Sequence, residues 1–224
     1  MIQDIITYLQ ELAVNNNREW FQSNKGRYDR HKQEFLEIVQ DQINRISVVD
    51  RDLEGLRAED CVFRIYNDLR FSHSKLPYKQ HFGAYMAAGG GRKSFRSGYY
   101  LHLEPGNCML SGGLWRPEPK LRKRVRDDIF HHTDEFVAIL EAPEFKAVYP
   151  RIDGDMITRV PTGYPADYEY AHLLRYQEYC ISYYLPDGYF DNPDWANDMA
   201  QRFILQLPFH RFLNTTVDLW MEDV

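Results

Sequence analysis

Arg64, Tyr66, Asp68 and Arg70 stand at every second position of one stretch, and Lys75, Tyr78 and Lys79 follow within nine residues of Arg70. In an extended chain, alternate side chains share one face about 7 Å apart. Two guanidiniums flanking a carboxylate hold it ionised and keep donors for a second anion. In this arrangement Asp68 orients the arginines, and Lys75 and Lys79 close over the ligand from the next turn. Facing a cleft, the group is a phosphate or carboxylate site. Facing a covering helix, the same residues form an internal ion-pair network, since a buried charge must be partnered.

A second set lies on the next predicted strands. Alternation puts Tyr100, His102 and Glu104 on one face of the segment from Gly98 to Glu104, opposite Tyr99, Leu101 and Leu103. His102 is the best acid/base candidate, with Asp68 beside it, and Tyr66, Tyr78 and Tyr100 supply rings to line a pocket. Ser111-Gly112-Gly113-Leu114-Trp115-Arg116 runs from a strand toward a helix. Backbone donors at a helix start suit anions. Equally, the glycines permit close packing beneath Trp115. Ser111 lacks the glycine pattern of a nucleophile elbow, so a hydrolase triad has no support. Gly89-Gly90-Gly91-Arg92-Lys93-Ser94 lacks the spacing of a phosphate loop and reads as a flexible hairpin. The histidines show no metal-ligand spacing, and no metal site is expected.

Charge is segregated along the chain. The 224 residues carry a net −6, yet Val62 to Arg126 hold 13 Lys and Arg against 3 Asp and Glu, a net of +10, leaving −16 elsewhere. Such asymmetry marks either an anion-binding face or two parts of a fold that attract each other. The basic run Lys120 to Arg126 sits on an amphipathic helix, and a pI near 5.8 argues against general nucleic-acid binding. Cys61, Cys108 and Cys180 are odd in number and widely spaced, which argues against a disulfide framework. The first residues read as an amphipathic helix and not as a signal peptide, and no apolar run is long enough to span a bilayer. A reducing cytoplasm is the expected compartment.

These residues need elements to hold them. The periodicity predicts a helix over Ile2 to Val14, then Asn17 capping helix from Arg18 to Ile46 in one or two pieces. Strands are predicted from Phe63 to Phe71, Phe82 to Ala88, Gly98 to Glu104 and Cys108 to Leu114, with short connections that favour an antiparallel meander. One helix is expected from Lys120 to Leu140, and a short one after Pro143. Candidate strands follow at Asp155 to Pro161 and Glu178 to Leu185, with a short helix near Tyr168 to Tyr176. Asn192-Pro193-Asp194 starts the closing helices, with a break at Pro208. The fold class is α+β, a β-meander packed with N-terminal, central and C-terminal helices, in a single domain over residues 1–224.

Several runs, in order, resemble a known family: NNNREWF from Asn15, RIYNDLRFSHSKLPYK from Arg64, GYYLHLEP from Gly98, SGGLWRPEP from Ser111, then Arg126, PTGYP from Pro161 and Leu173-Leu174-Arg175. Together they resemble domain-of-unknown-function family 2461, conserved hypothetical proteins of bacteria and fungi. The resemblance covers nearly the whole chain and implies a compact α+β fold. It implies no activity, cofactor or oligomeric state. The residues themselves support a binding protein, enzymatic or not, for an anionic small molecule held by Arg64, Tyr66, Asp68, Arg70, Lys75, Tyr78, Lys79, Tyr100 and Trp115. The alternative is a non-catalytic scaffold whose basic face docks an acidic protein partner.

Overall fold

Alternation of apolar with small or polar residues builds the sheet. In the computed structural model, which describes residues 2–68, 76–165 and 167–223, four strands run antiparallel in sequence order: β1 (Phe82–Met86), β2 (Gly98–Leu103), β3 (Met109–Leu114) and β4 (Tyr179–Tyr184). Leu101 pairs with both Ala84 and Leu110, and Leu110 with Tyr183, so one face collects the large apolar side chains. Phe82, Met86, Leu101, Leu103, Leu110 and Ile181 on that face are almost wholly buried. The opposite face carries Gly83, Tyr85, Tyr100, His102, Ser111 and Ser182, small or polar residues that no apolar layer could use.

The helices pack on the apolar face. α1 (Ile2–Val14) and α2 (Arg18–Ser23) lead into the long α3 (Lys25–Ser47), and Asn17 caps α2 by accepting from the Trp20 N–H at 2.9 Å. The short α4 (Ala58–Cys61) returns the chain to the sheet. Tyr8, Leu9, Phe35, Val39 and Ile43 from this group meet Phe82 and Leu101 in one apolar cluster. A second cluster forms where α5 (Pro119–His131), α6 (Thr133–Glu141), α7 (Pro143–Val148) and α9 (Leu207–Glu222) meet Leu114, Tyr179 and Ile181. α8 (Trp195–Leu205) joins the first cluster through Met199 and Phe203. No helix among the described residues is long and apolar enough to cross a membrane.

Three elements differ from the sequence expectation. The basic helix from Lys120 to Leu140 is broken at His132, whose backbone leaves helical geometry (φ −121°, ψ 39°). There the Thr133 hydroxyl donates to the Ile129 and Phe130 carbonyls at 2.8 and 3.0 Å, competing with the helical ladder. The expected strand at Asp155 to Pro161 is a ragged companion to the chain beside β4, bridged at Asp153 to Cys180 and at Met156 to Tyr176. Finally, the expected first strand, where its residues are described, is a pair of isolated bridges, Val62 to Ala84 and Tyr66 to Tyr78. Its alternation is real: Ile65 is buried while Arg64 and Tyr66 are exposed.

Candidate functional site

The segment bearing Arg64 folds back on itself and delivers the chain into β1. The Lys79 N–H donates to the Ile65 carbonyl at 2.7 Å, and the Phe63 N–H to the Gly83 carbonyl at 2.9 Å. Between these two pairings, Arg64 alone opposes three residues, Gln80, His81 and Phe82. The surplus on one side is a bulge, the device that bends a strand and re-aims a side chain next to a functional surface. Extended by one residue, the β1–β2 register sets His81 opposite Glu104 on the face of Gly83 and His102, and the His81 and His102 rings lie with centroids 4.3 Å apart and planes 33° from parallel.

From there a chain of contacts runs along the polar face. Tyr100 Oη lies 2.9 Å from His102 Nδ1, and His102 Nε2 lies 3.1 Å from Glu104 Oε2. Asn107, at the turn after β2, donates to the same Glu104 oxygen at 2.7 Å. Burial works to raise the Glu104 pKa, but the hydrogen bonds from Asn107 and His102 outweigh it and hold the carboxyl below its usual range. Burial pushes the Tyr100 phenol up to about 12, helped by the Glu104 charge. Burial also drops His81 to about 4, with the neighbouring His102 second, so His81 is neutral near pH 7. The Tyr100 ring can lie across β1 because position 83 is glycine: a Cβ there would stand 2.8 Å from Tyr100 Oη.

Cationic groups border this array. Lys79 Nζ sits 5.3 Å from the centroid of the Phe63 ring, which itself meets Tyr100 edge-on. Burial lowers the Lys79 pKa, and the Arg64 guanidinium lowers it further. Neither cation has a carboxylate partner among the described residues, whereas Asp68 does interact with other residues of the chain.

The predicted site residues separate into groups. Lys79, Tyr100 and His102 come together through Phe63, and Arg64 neighbours Lys79. Arg70 and Lys75 lie outside the described residues. Tyr78 is buried and stacks on Phe21 (3.9 Å, 14°), Tyr66 packs against both rings, and Asn16 clamps the Tyr78 backbone through its N–H and carbonyl. These two tyrosines therefore anchor the segment to α2. Trp115 lies past the end of β3 where Gly98 pairs with Gly113, four residues along the strand from Ser111, which pairs with Tyr100, or about 13 Å. It is 69% exposed, with the Arg116 guanidinium 5.2 Å from its ring. Gly112 serves packing: a Cβ there would stand 2.1 Å from the Gln206 side chain. Arg126 is buried in the helical layer and donates to the Tyr176 carbonyl at 2.7 Å.

His81 is the residue that sequence reading passed over. One donor atom each from His81, His102 and Glu104 lies within 4.8 Å of the others, yet 21 residues separate the two histidines and no spacing rule joins them. Two signals point to it in retrospect: the alternation that puts His102 and Glu104 on one face, and the alternation of β1, which runs back from Tyr85 and Gly83 to His81.

The chain matches the family described as conserved hypothetical protein (DUF2461) over residues 4–212, and it belongs to that family. No curated protein and no solved structure matches it.

Proposed function

Starting from membership of this conserved hypothetical family, we propose that the protein binds an anionic small molecule, carrying a phosphate or carboxylate, on the polar face of its sheet. The observation behind the reading is the neighbouring pair Arg64 and Lys79, two cations with no carboxylate partner among the described residues. Partial burial and the nearby Arg64 charge both disfavour the charged form of Lys79. An arriving anion removes that cost and gains charge-assisted hydrogen bonds. Arg64 is exposed and free to reach a ligand, while Lys79 is held over Phe63. Tyr100, whose ring meets Phe63 edge-on, is a further candidate donor beside Lys79, while both His102 nitrogens are engaged by Tyr100 and Glu104. His102 keeps its place as the acid/base candidate, and the proposal stops at binding. We place the protein in a reducing cytoplasm, in keeping with its three free cysteines.

The test is calorimetric titration of the full chain with inorganic phosphate and with citrate. Each charge-assisted contact is worth about 1.5–3 kcal/mol, so Arg64→Ala and Lys79→Met should each weaken binding about 10- to 100-fold. Wild-type protein that takes up neither anion at millimolar concentration, or variants that bind as tightly as wild type, would remove the basis of the reading. A second reading, docking of an acidic protein partner, draws on the exposed Trp115 with Arg116 over its ring. That pair lies at the other end of the sheet and would be untouched by the Arg64 and Lys79 variants.

A further inference from the structure

The donor set at the bulge goes beyond anion binding and stands without it. We propose that His81, His102 and Glu104 form a binding site for a divalent transition-metal ion, zinc or ferrous iron by donor type. Two imidazoles and one carboxylate are the donor set that such ions take with coordination positions left open. Around an ion bound at about 2.1 Å, neighbouring donors sit about 3.0–3.4 Å apart. The His102 Nε2 to Glu104 Oε2 separation, 3.1 Å, already falls in that range. The third donor, on His81, lies within 4.8 Å of the other two. Closing the set takes a movement of at most about 1.8 Å toward the ion's donor spacing, and His81 lies just before β1 begins, outside the strand.

The partners behind the donors fit the same role. A metal at His102 Nε2 places the ring proton on Nδ1, where Tyr100 Oη stands 2.9 Å away and accepts it. Asn107 fixes the carboxylate through Oε2 at 2.7 Å. Metal-binding histidines and carboxylates characteristically carry such outer hydrogen bonds, which set tautomer and orientation. A Tyr100–His102–Glu104 ladder uses three of these residues, and His81 adds a third donor at the same place. Among the described residues, His81 makes no hydrogen bond through either ring nitrogen, so the ring is open to an ion, and it packs against the His102 ring. One His81 ring nitrogen stands within reach of both other donors, a placement that a shared ion accounts for.

The experiment uses tag-free full-length protein, stripped with chelator and titrated with Zn²⁺ calorimetrically and with Co²⁺ by visible absorption. Expected is one equivalent bound, with Co²⁺ d–d bands of nitrogen and oxygen ligation. His81→Ala and Glu104→Gln should each abolish or weaken binding at least about 100-fold, and Tyr100→Phe about 10-fold, on the scale of an outer-partner loss. Circular dichroism establishes that each variant is folded, and Tyr100→Phe reports even where another variant is not. Failure of wild type to bind stoichiometrically would overturn the proposal. So would wild-type affinity in folded His81→Ala, or a thiolate charge-transfer band that places the ion on Cys108. Phosphate titration of the stripped protein separates this outcome from failure of the anion reading.

Discussion

Acidification from pH 7 to pH 5 should destabilise this fold through one buried histidine, and the loss can be worked out from its surroundings. His210 on α9 is almost wholly buried, and burial depresses its pKa to about 3. Its partners fix the tautomer. Gln206 Nε2 donates to Tyr149 Oη (2.7 Å), so its Oε1 is the acceptor that faces His210 Nε2 at 3.0 Å. Nε2 therefore carries the proton, and Nδ1 accepts from the Ser97 hydroxyl at 2.7 Å. Adding a proton at Nδ1 would turn the Ser97 hydroxyl from donor to acceptor and bury a charge. Asp50, Asp52, Arg96 and Arg211 line the small adjoining cavity, about 20 Å³ in volume, but Asp50 already accepts from Tyr99 Oη and Asp52 pairs with Arg96. The sign follows directly. Above the ordinary histidine value of 6.5, folded and unfolded chains are both neutral at this position and the full stability is present. Below it the unfolded chain binds a proton that the folded chain refuses, and stability falls by about 1.4 kcal/mol per pH unit until about pH 3. At pH 5 the loss is about 2 kcal/mol. Urea unfolding of wild type and His210→Gln at pH 7 and pH 5 isolates it. The variant loses stability at both pH values, but its difference between them should be smaller than the wild-type difference by about 2 kcal/mol. Equal pH differences in the two proteins would refute the assignment of His210 as a buried neutral group.

Gly112→Ala should cost about 3 kcal/mol or more, because the new methyl would stand 2.1 Å from Gln206 Oε1 and 2.7 Å from the His210 ring; a change below about 1 kcal/mol in urea midpoint stability would show that the helical junction yields freely. Asn16→Ala removes both side-chain contacts to the Tyr78 backbone and should cost about 1–3 kcal/mol, read from the same unfolding curves. Gly83→Ala should cost about 1–3 kcal/mol by pushing on Tyr100 Oη, and most of that cost should vanish in a Tyr100→Ala background. Additive costs in that double variant would mean the two positions do not touch.

The sheet was legible in the sequence because alternation is a local signal. β1, β2 and β3 fall where Phe82, Gly98 and Cys108 open alternating runs, and β4 within the run from Glu178. The N-terminal helices and the Asn17 cap were legible for the same reason. What the pattern could not show was where its own interruptions lead. Thr133 broke a helix whose apolar stripe continued through it, since a hydroxyl that bonds backward leaves no trace in periodicity. The alternation of Arg64 and Tyr66 was correct, but their surroundings were not in it. Tyr66 was assigned to a ligand pocket, yet it rests on Phe21, a helical residue more than forty positions earlier. Arg64 and Lys79 neighbour each other because the chain reverses between them, a long-range fact for which residue types gave only the charge count.

The polar face of the sheet bears on why the site is where it is. Tyr100, His102 and Ser111 sit in the middle of a sheet whose other face supplies an apolar core. Stability alone would favour apolar side chains at such half-buried positions, since a hydrogen bond returns only about 0.5–1.5 kcal/mol net while each buried polar group must be matched. The match here is made in part by neighbours of the same face: Ser182 donates to Ser111, Ser111 to the Ile181 carbonyl, and Tyr85 reaches the Arg96 and Gly113 carbonyls. Those contacts close on themselves and need nothing further. Around His102 the groups are open instead: among the described residues His81 makes no hydrogen bond and Arg64 and Lys79 form no ion pair with an acid, so solvent or a ligand meets them. These open groups gather at one end of the face, beside His81, where a ligand can replace the water that otherwise meets them.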